Sequence, residues 1–293
     1  MATTDSLVAR DKICIQELPG FLAGSTCAVL RLDLLHPHVS GNKWYKLQYN
    51  ITAAQEQGKT ALLSFGGAYS NHLLALAAAA AHYGLQSLGL VRGLHAAENL
   101  TPVLQQCRTY GMQLQFLERG TYAQKTDPVF LQQLAAQYPD ACIIPEGGAN
   151  AAGRAGAGEI AALIPAGYTH VAVSVGTGTT FAGLRNALPP AQQLLGFAPM
   201  IGGVYLAAEL RRWLDPDQDT NWSLRDEWHF GGFGKTRPEL LEFMSSFGAQ
   251  YGIPLDKVYT AKLLYGLREM AAAGRIPSGS RVLAIHTGGL GGN

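Results

Sequence analysis

Ala61-Leu-Leu-Ser-Phe-Gly-Gly-Ala-Tyr-Ser-Asn71 is a short apolar run, a glycine pair and a polar turn, followed directly by an alanine-rich stretch that continues to Tyr83. A brief apolar run bounded by glycine reads as a buried strand, and the alanine stretch, stopped by Gly84, reads as a helix. Ser70 or Asn71 is the kind of residue that caps such a helix. The same connection also suits a ligand, because glycine lets it approach the backbone while free amides at the helix start attract an anion or carboxylate. Cap and ligand site both remain open on this stretch alone.

The unit repeats in both directions. Strands are predicted at 27–33, 87–91, 113–117, 141–144, 169–175, 194–197, 227–230 and 281–285. Helices are predicted at 44–57, 98–110, 127–138, 181–188, 203–214, 237–251 and 259–273. Strands alternating with helices at this spacing imply parallel sheets built from βαβ units. Gly147, Gly148, Gly153, Gly156 and Gly158 break the composition and suggest that the chain crosses between domains near residue 150.

With 293 residues, 47% hydrophobic and 15% charged, the chain has ample length for a real core, in one large or two associated domains. A formal charge of +1 and no basic cluster beyond Arg211-Arg212 give no footprint for nucleic acid or an anionic membrane. The expected partners are small molecules and a second copy of the chain. Cys14, Cys27, Cys107 and Cys142 form no C-x-x-C pair and suggest neither a zinc ribbon nor a disulfide framework. Residues 1–17 lack an apolar signal region and the run 73–81 is too short to span a bilayer, so a cytoplasmic location is expected.

Gly41-Asn-Lys-Trp-Tyr-Lys46 places two lysines three residues apart at a helix start, making Lys43 a candidate reactive amine against the ordinary reading of a solvated charge. Gly176-Thr-Gly-Thr-Thr180 follows a strand and opens a helix, which suits a phosphate because small residues expose amides and threonines add hydroxyls. A dinucleotide fingerprint would need glycine where Phe181 stands. The loop ending Gly234-Lys235-Thr236 nearly matches a nucleotide P-loop and follows an expected strand, but His229 replaces its first glycine. His36 and His38, without a third ligand, read as loop residues rather than a metal site. No G-x-S-x-G, H-E-x-x-H or nearby carboxylate pair is present.

In order, the chain carries Gly-Asn-Lys-x-x-Lys, Gly-Gly-x-x-Ser-Asn-His, Pro-Glu-Gly-Gly, strand plus Gly-Thr-Gly, Val-Tyr-Thr-x-Lys and His-Thr-Gly-Gly. From about Arg31 to Gly289 this set resembles the pyridoxal-phosphate enzymes that include D-cysteine desulfhydrase and 1-aminocyclopropane-1-carboxylate deaminase. The resemblance implies an α/β protein of the tryptophan synthase β-like fold, with two parallel-sheet, three-layer domains. It puts 1–45 and 150–293 in a large domain, 46–149 in a small inserted one, and pyridoxal 5'-phosphate in the cleft between them. It further implies a homodimer.

By the same resemblance Lys43 bonds the cofactor's aldehyde, and burial beside the cation Lys46 would depress its pKa toward a reactive amine. Asn71 is expected at the ring's phenolic oxygen, and Gly176, Thr177, Gly178, Thr179 and Thr180 at the phosphate. Ser70, Asn71, His72, Tyr259, Thr260 and Phe233 are expected around the substrate, with Ser70 and Tyr259 also catalytic. Thr260 and Thr287 stand where the deaminase branch has glutamate and leucine. A neutral hydroxyl at the ring nitrogen makes a weaker electron sink than a carboxylate, which is adequate when a β-leaving group departs promptly. The implied activity is therefore α,β-elimination from an amino acid such as D-cysteine, giving pyruvate, ammonia and sulfide. The alternatives are deamination of the cyclopropane acid, another elimination or racemisation, and a catalytically weakened cofactor-binding protein. Departures from the family pattern are Trp44-Tyr45 for Thr-Arg, Phe233 for tyrosine and Thr179 for glycine. An end soon after the last Gly-Gly implies no further C-terminal substrate contacts.

Overall fold

A computed structural model describes residues 7–290; residues 1–6 of the expected large domain, and of the stretch read as lacking a signal, lie outside the described part. Among the described residues, ten strands form two sheets. The first contains β1 (Ile15–Glu17), β2 (Thr26–Arg31), β7 (His170–Ser174), β8 (Gln193–Phe197), β9 (Trp222–Arg225) and β10 (Arg281–His286), in the order β1-β2-β10-β7-β8-β9. All neighbours are parallel except β1, which runs antiparallel along β2 with Ile15 opposite Leu30. The second sheet contains β3 (Ala61–Gly66), β4 (Gln86–Arg92), β5 (Gln113–Leu117) and β6 (Ala141–Ile144), all parallel, in the order β5-β4-β3-β6.

Helices cover both faces of each sheet: α1 (Asn42–Glu56), α2 (Asn71–His82), α3 (Pro102–Thr109), α4 (Arg119–Ala123), α5 (Pro128–Gln137), α6 (Ala151–Gly158), α7 (Thr179–Ala187), α8 (Leu206–Arg211), α9 (Pro238–Tyr251) and α10 (Thr260–Ala272). Strands sandwiched this way bury both sides, which is why Leu62, Leu63 and Phe65 run without polar alternation save Ser64. Leu62 and Leu73 share one continuous core with Val171 and Leu283 of the other sheet, so the two sheets are joined by packed side chains. Leu63, Phe65 and Tyr122 fill the far side of the small sheet, and Phe197, Phe243 and Leu264 the far side of the large one.

Local chemistry sets the helix starts. Ser70, Thr101, Asp127 and Asn150 each accept a backbone N–H three residues on, and Pro102 and Pro128 follow their caps directly. The helix expected at 98–110 accordingly begins only at Pro102. Of the glycines near 150, Gly147 and Gly148 form a 3-10 turn and Gly153, Gly156 and Gly158 belong to α6, where a Cβ on Gly156 would lie 1.9 Å from the Tyr45 carbonyl of α1, and one on Gly183 of α7 2.3 Å from the Arg154 carbonyl. Their absent side chains allow three helix backbones to touch.

The strand expected at 227–230 is not formed. Trp222–Arg225 takes that place, with Leu194 opposite Trp222 and the indole packed edge-on against Phe181 at 5.5 Å. Beyond it the chain turns, because Phe230 has φ 52° and Gly231 and Gly232 have φ 96° and 121°. The P-loop reading thereby loses the strand it required. The stretch 203–214 is a 3-10 turn followed by the short α8, and the edge strand β1 and the short α4 were not anticipated.

Candidate active site

The loops after β2, β7 and β10 of the large sheet and after β3 and β6 of the small one converge, at the carboxyl ends where ligands bind in open parallel sheets. Gly41 and Gly288 interlock there: both have positive φ (64° and 74°), and a Cβ on either would fall about 2 Å from the other strand's loop, at the Thr287 carbonyl and Ser40 Oγ. This contact brings α1 to the end of β10, and Lys43 Nζ donates to the Thr287 carbonyl at 3.0 Å.

Lys43 and Lys46 are 8% and 7% exposed. Burial lowers the Lys43 pKa to about 8, opposed by the carboxylate of Asp256. Burial, and then the charge of Lys43, lowers Lys46 to about 7. The repulsion expected to act on Lys43 therefore falls on its neighbour, while desolvation activates Lys43. Trp44 and Tyr45, which depart from the family pattern, are buried in the main core. Successive helical residues turn by about 100°, so Tyr45 leaves the helix on a different side from Lys43.

Gly176, Thr177 and Gly178 lead into α7, with Gly178 left-handed at φ 84° as its N-cap. Thr177 and Thr179 share a hydroxyl hydrogen bond at 2.9 Å, so the threonine that departs from the family pattern is buried and shapes the cup. Gly147 abuts Thr177, and Gly148 abuts Lys46. Asn42 Nδ2 donates to Thr180 Oγ1 at 2.8 Å, tying the amine's helix to the cup, while its buried Oδ1 has no hydrogen-bond partner.

The Tyr259 ring lies 6.0 Å from Lys43 Nζ and its hydroxyl borders Gly176; burial and the charges of Asp256 and Glu146 raise its pKa, so the phenol stays protonated. Phe233, 56% exposed, packs edge-on against Tyr259 at 5.9 Å. Thr260 Oγ1 donates to Asp256 Oδ2 at 2.6 Å, and that carboxylate also accepts the N–H groups of Val258, Tyr259 and Thr260. Thr287 is buried beside Lys43.

From the small sheet, Asn71 Nδ2 reaches the Gly289 carbonyl at 3.4 Å. Ser70 fulfils the cap reading by accepting from Leu73 N, and its side chain lies against Gly66. His72 is buried: its Nε2 meets Ser64 Oγ at 2.9 Å, Ser64 donates to the Ile144 carbonyl, and Nδ1 has no partner. Burial and the two lysine charges hold its pKa down to about 3, so the ring is neutral. Asn42 and Asp256 were missed by sequence reading. The Gly-Asn turn and the Asp-x-x-x-Thr spacing before α10 were their available signals.

The group these residues would hold is an aldehyde bearing a phosphate. The fit is good: a partly neutral buried amine, a glycine turn with three threonine hydroxyls at a helix start, and beside them the buried Asn42 Oδ1, which has no hydrogen-bond partner. Among the described residues no cluster of metal-ligating side chains occurs, and no helix is long and apolar enough to cross a membrane.

Comparison with known proteins identifies the family and the fold. The family model described as pyridoxal-phosphate dependent enzyme matches residues 15–288. A protein of Pyrococcus furiosus, provisionally named 1-aminocyclopropane-1-carboxylate deaminase, is 30% identical, with 95% of this chain and 89% of its own length covered. The mitochondrial bifunctional D-cysteine desulfhydrase/1-aminocyclopropane-1-carboxylate deaminase of Arabidopsis thaliana is 27% identical, covering 93% and 74%. The crystal structure of an ACC deaminase homologue superposes with a TM-score of 0.78 at 28% identity, covering 96% of this chain and 90% of that one. O-ureido-L-serine synthase, at 16% identity and a TM-score of 0.69, shares the fold.

Proposed function

Because the chain belongs to the pyridoxal-phosphate dependent enzymes, we propose that it is a lyase performing α,β-elimination on a small amino acid, with D-cysteine the type substrate. When bound, the cofactor supplies an electron sink for the pair left at the substrate's α-carbon, which no side chain can provide.

The protein's own groups do the rest. Lys43, lowered to about 8, has enough neutral amine near physiological pH that it would hold the cofactor's aldehyde and would take the α-proton of a bound substrate. Gly176 to Thr180 would hold the phosphate with helix-start amides and hydroxyls, and Lys46, lowered to about 7 without a ligand, would take up a proton beside that anion. Asn71, tethered to Gly289, sets the ring's phenolic side. The α2 start, with Ser70 and Asn71, receives the substrate carboxylate; neutral His72 lies behind it as support. Tyr259, kept protonated, can donate a hydrogen bond to a departing thiolate without ionising. The released enamine hydrolyses to pyruvate and ammonia.

The single observation that carries the elimination reading is the pair of buried hydroxyl residues Thr260 and Thr287 where the resemblance puts glutamate and leucine in a deaminase. The names of the relatives favour deamination of the cyclopropane acid as the second reading. Incubating the loaded enzyme with D- and L-cysteine, β-chloroalanines and the cyclopropane acid separates them. Sulfide and pyruvate from a cysteine enantiomer are expected; 2-oxobutanoate from the cyclopropane acid alone would refute elimination, and spectral shifts without product would indicate a binding protein. We further propose a cytoplasmic homodimer in which 46–149 is the smaller, inserted domain and the site lies in the cleft beside it.

A further inference from the structure

Lys262 belongs to none of the groups that would hold cofactor or substrate, yet it is 2% exposed on α10. Its Nζ donates to three backbone carbonyls, those of Pro199 at 3.3 Å, His229 at 2.8 Å and Gly232 at 2.9 Å. Two different loops supply them, one leaving β8 and one formed by residues 226–237. The second has no regular structure, and four of its residues, Phe230, Gly231, Gly232 and Gly234, have positive φ. Glycine at three of the four positions permits such a path, which turns carbonyls inward, and three converging oxygens repel one another unless a cation sits between them. The next residue, Phe233, is the one that packs on Tyr259 beside Lys43.

We propose that Lys262 is a tethered monovalent cation, whose ammonium fills a carbonyl cage and thereby positions the loop that presents Phe233 to Tyr259. The cage's chemistry selects its occupant. Neutral carbonyls at 2.8–3.3 Å lie well beyond the roughly 2.0–2.6 Å that magnesium and calcium require of their oxygens. Carbonyl rings instead replace the hydration shell of potassium-sized ions. Asp256 supplies the balancing negative charge, raising the Lys262 pKa against a burial effect that lowers it to about 8. Removing the side chain leaves a site suited to potassium or ammonium. Lys262 is thus a positioning residue, and the loop claim stands independently of the cofactor reading; only its effect on turnover rests on that reading.

The test uses full-length protein without cofactor and follows amide hydrogen exchange in 226–236. In Lys262→Ala, exchange in sodium chloride should rise by roughly tenfold or more, the scale of losing hydrogen bonds to a charged group. It should return toward wild type in ammonium or potassium chloride at equal ionic strength, but not in lithium chloride. Lys262→Met, whose stem fills the same space without charge, should show the rise and no rescue. Unchanged exchange in both variants, or a rise in Lys262→Ala that ammonium and potassium leave untouched, overturns the proposal. Where Lys262→Ala does not fold in sodium chloride, refolding yield replaces exchange: a higher yield in ammonium chloride supports the cage, and equal yields refute it. In the loaded enzyme, the same salts should reverse a rise of about tenfold in KM while the covalent link at Lys43 persists. Loss of that link in wild type would instead sink the proposed function and leave the exchange result intact.

Discussion

At the scale of single residues, the chemistry rests on two lysines one turn apart that burial has driven toward neutrality. Lys46 makes this measurable. Its folded pKa is about 7 against an ordinary 10.5, so between those values the unfolded chain binds a proton that the folded chain does not. Stability of the cofactor-free protein must then rise with pH across that window, the cost of burying the cation being full below pH 7 and gone above 10.5. Lys46→Met should be more stable than wild type at pH 7, with the gap closing toward pH 10; thermal melts across a pH series check this, and parallel curves would contradict it. Lys43 and Lys46 were legible in the sequence because a Gly-Asn turn and a three-residue spacing announce them. Asn42 and Asp256 were not, since an asparagine and an aspartate at helix starts are read first as caps, and only the fold shows Asn42 meeting Thr180 across the chain.

Elements explain why the site is built where it is. Gly156 and Gly183 let α6 lie against both α1 and α7, so the helix bearing Lys43 and the helix opening at the phosphate cup share one support. Gly156→Ala should cost about 3 kcal/mol, the upper end of overpacking losses, because its Cβ would fall 1.9 Å from a backbone carbonyl. Gly274, which has open space and φ 67°, should cost only the roughly 1–2 kcal/mol of a left-handed alanine. Denaturant midpoints compare the two, and an equal or smaller loss for Gly156→Ala would refute the close contact. In the sequence Gly156 reads as part of a composition break and Gly183 carries no reading, because a gap between helices leaves no local signature. The misplaced strand has a related cause: Glu227-Trp-His-Phe230 alternates like a strand, whereas edge pairing with β8 and the indole contact of Trp222 decide the matter elsewhere in space. Parallel strands at the core, by contrast, were legible from apolar runs and glycine stops alone.

Over the whole molecule, two parallel sheets share a core and point the loops after their strands at one space, so a ligand there touches both halves. Binding should therefore stabilise the entire fold: at a cofactor concentration about 100-fold above Kd the gain is about 2.7 kcal/mol. A melting temperature independent of added pyridoxal phosphate would contradict a site shared by both sheets. The most direct measurement takes the protein loaded with pyridoxal phosphate, reduces it with borohydride and maps the modified peptide by mass spectrometry. The account predicts one pyridoxyl group per chain on Lys43, absent in Lys43→Ala. A label on Lys46 or Lys262, or none on any lysine, would contradict it.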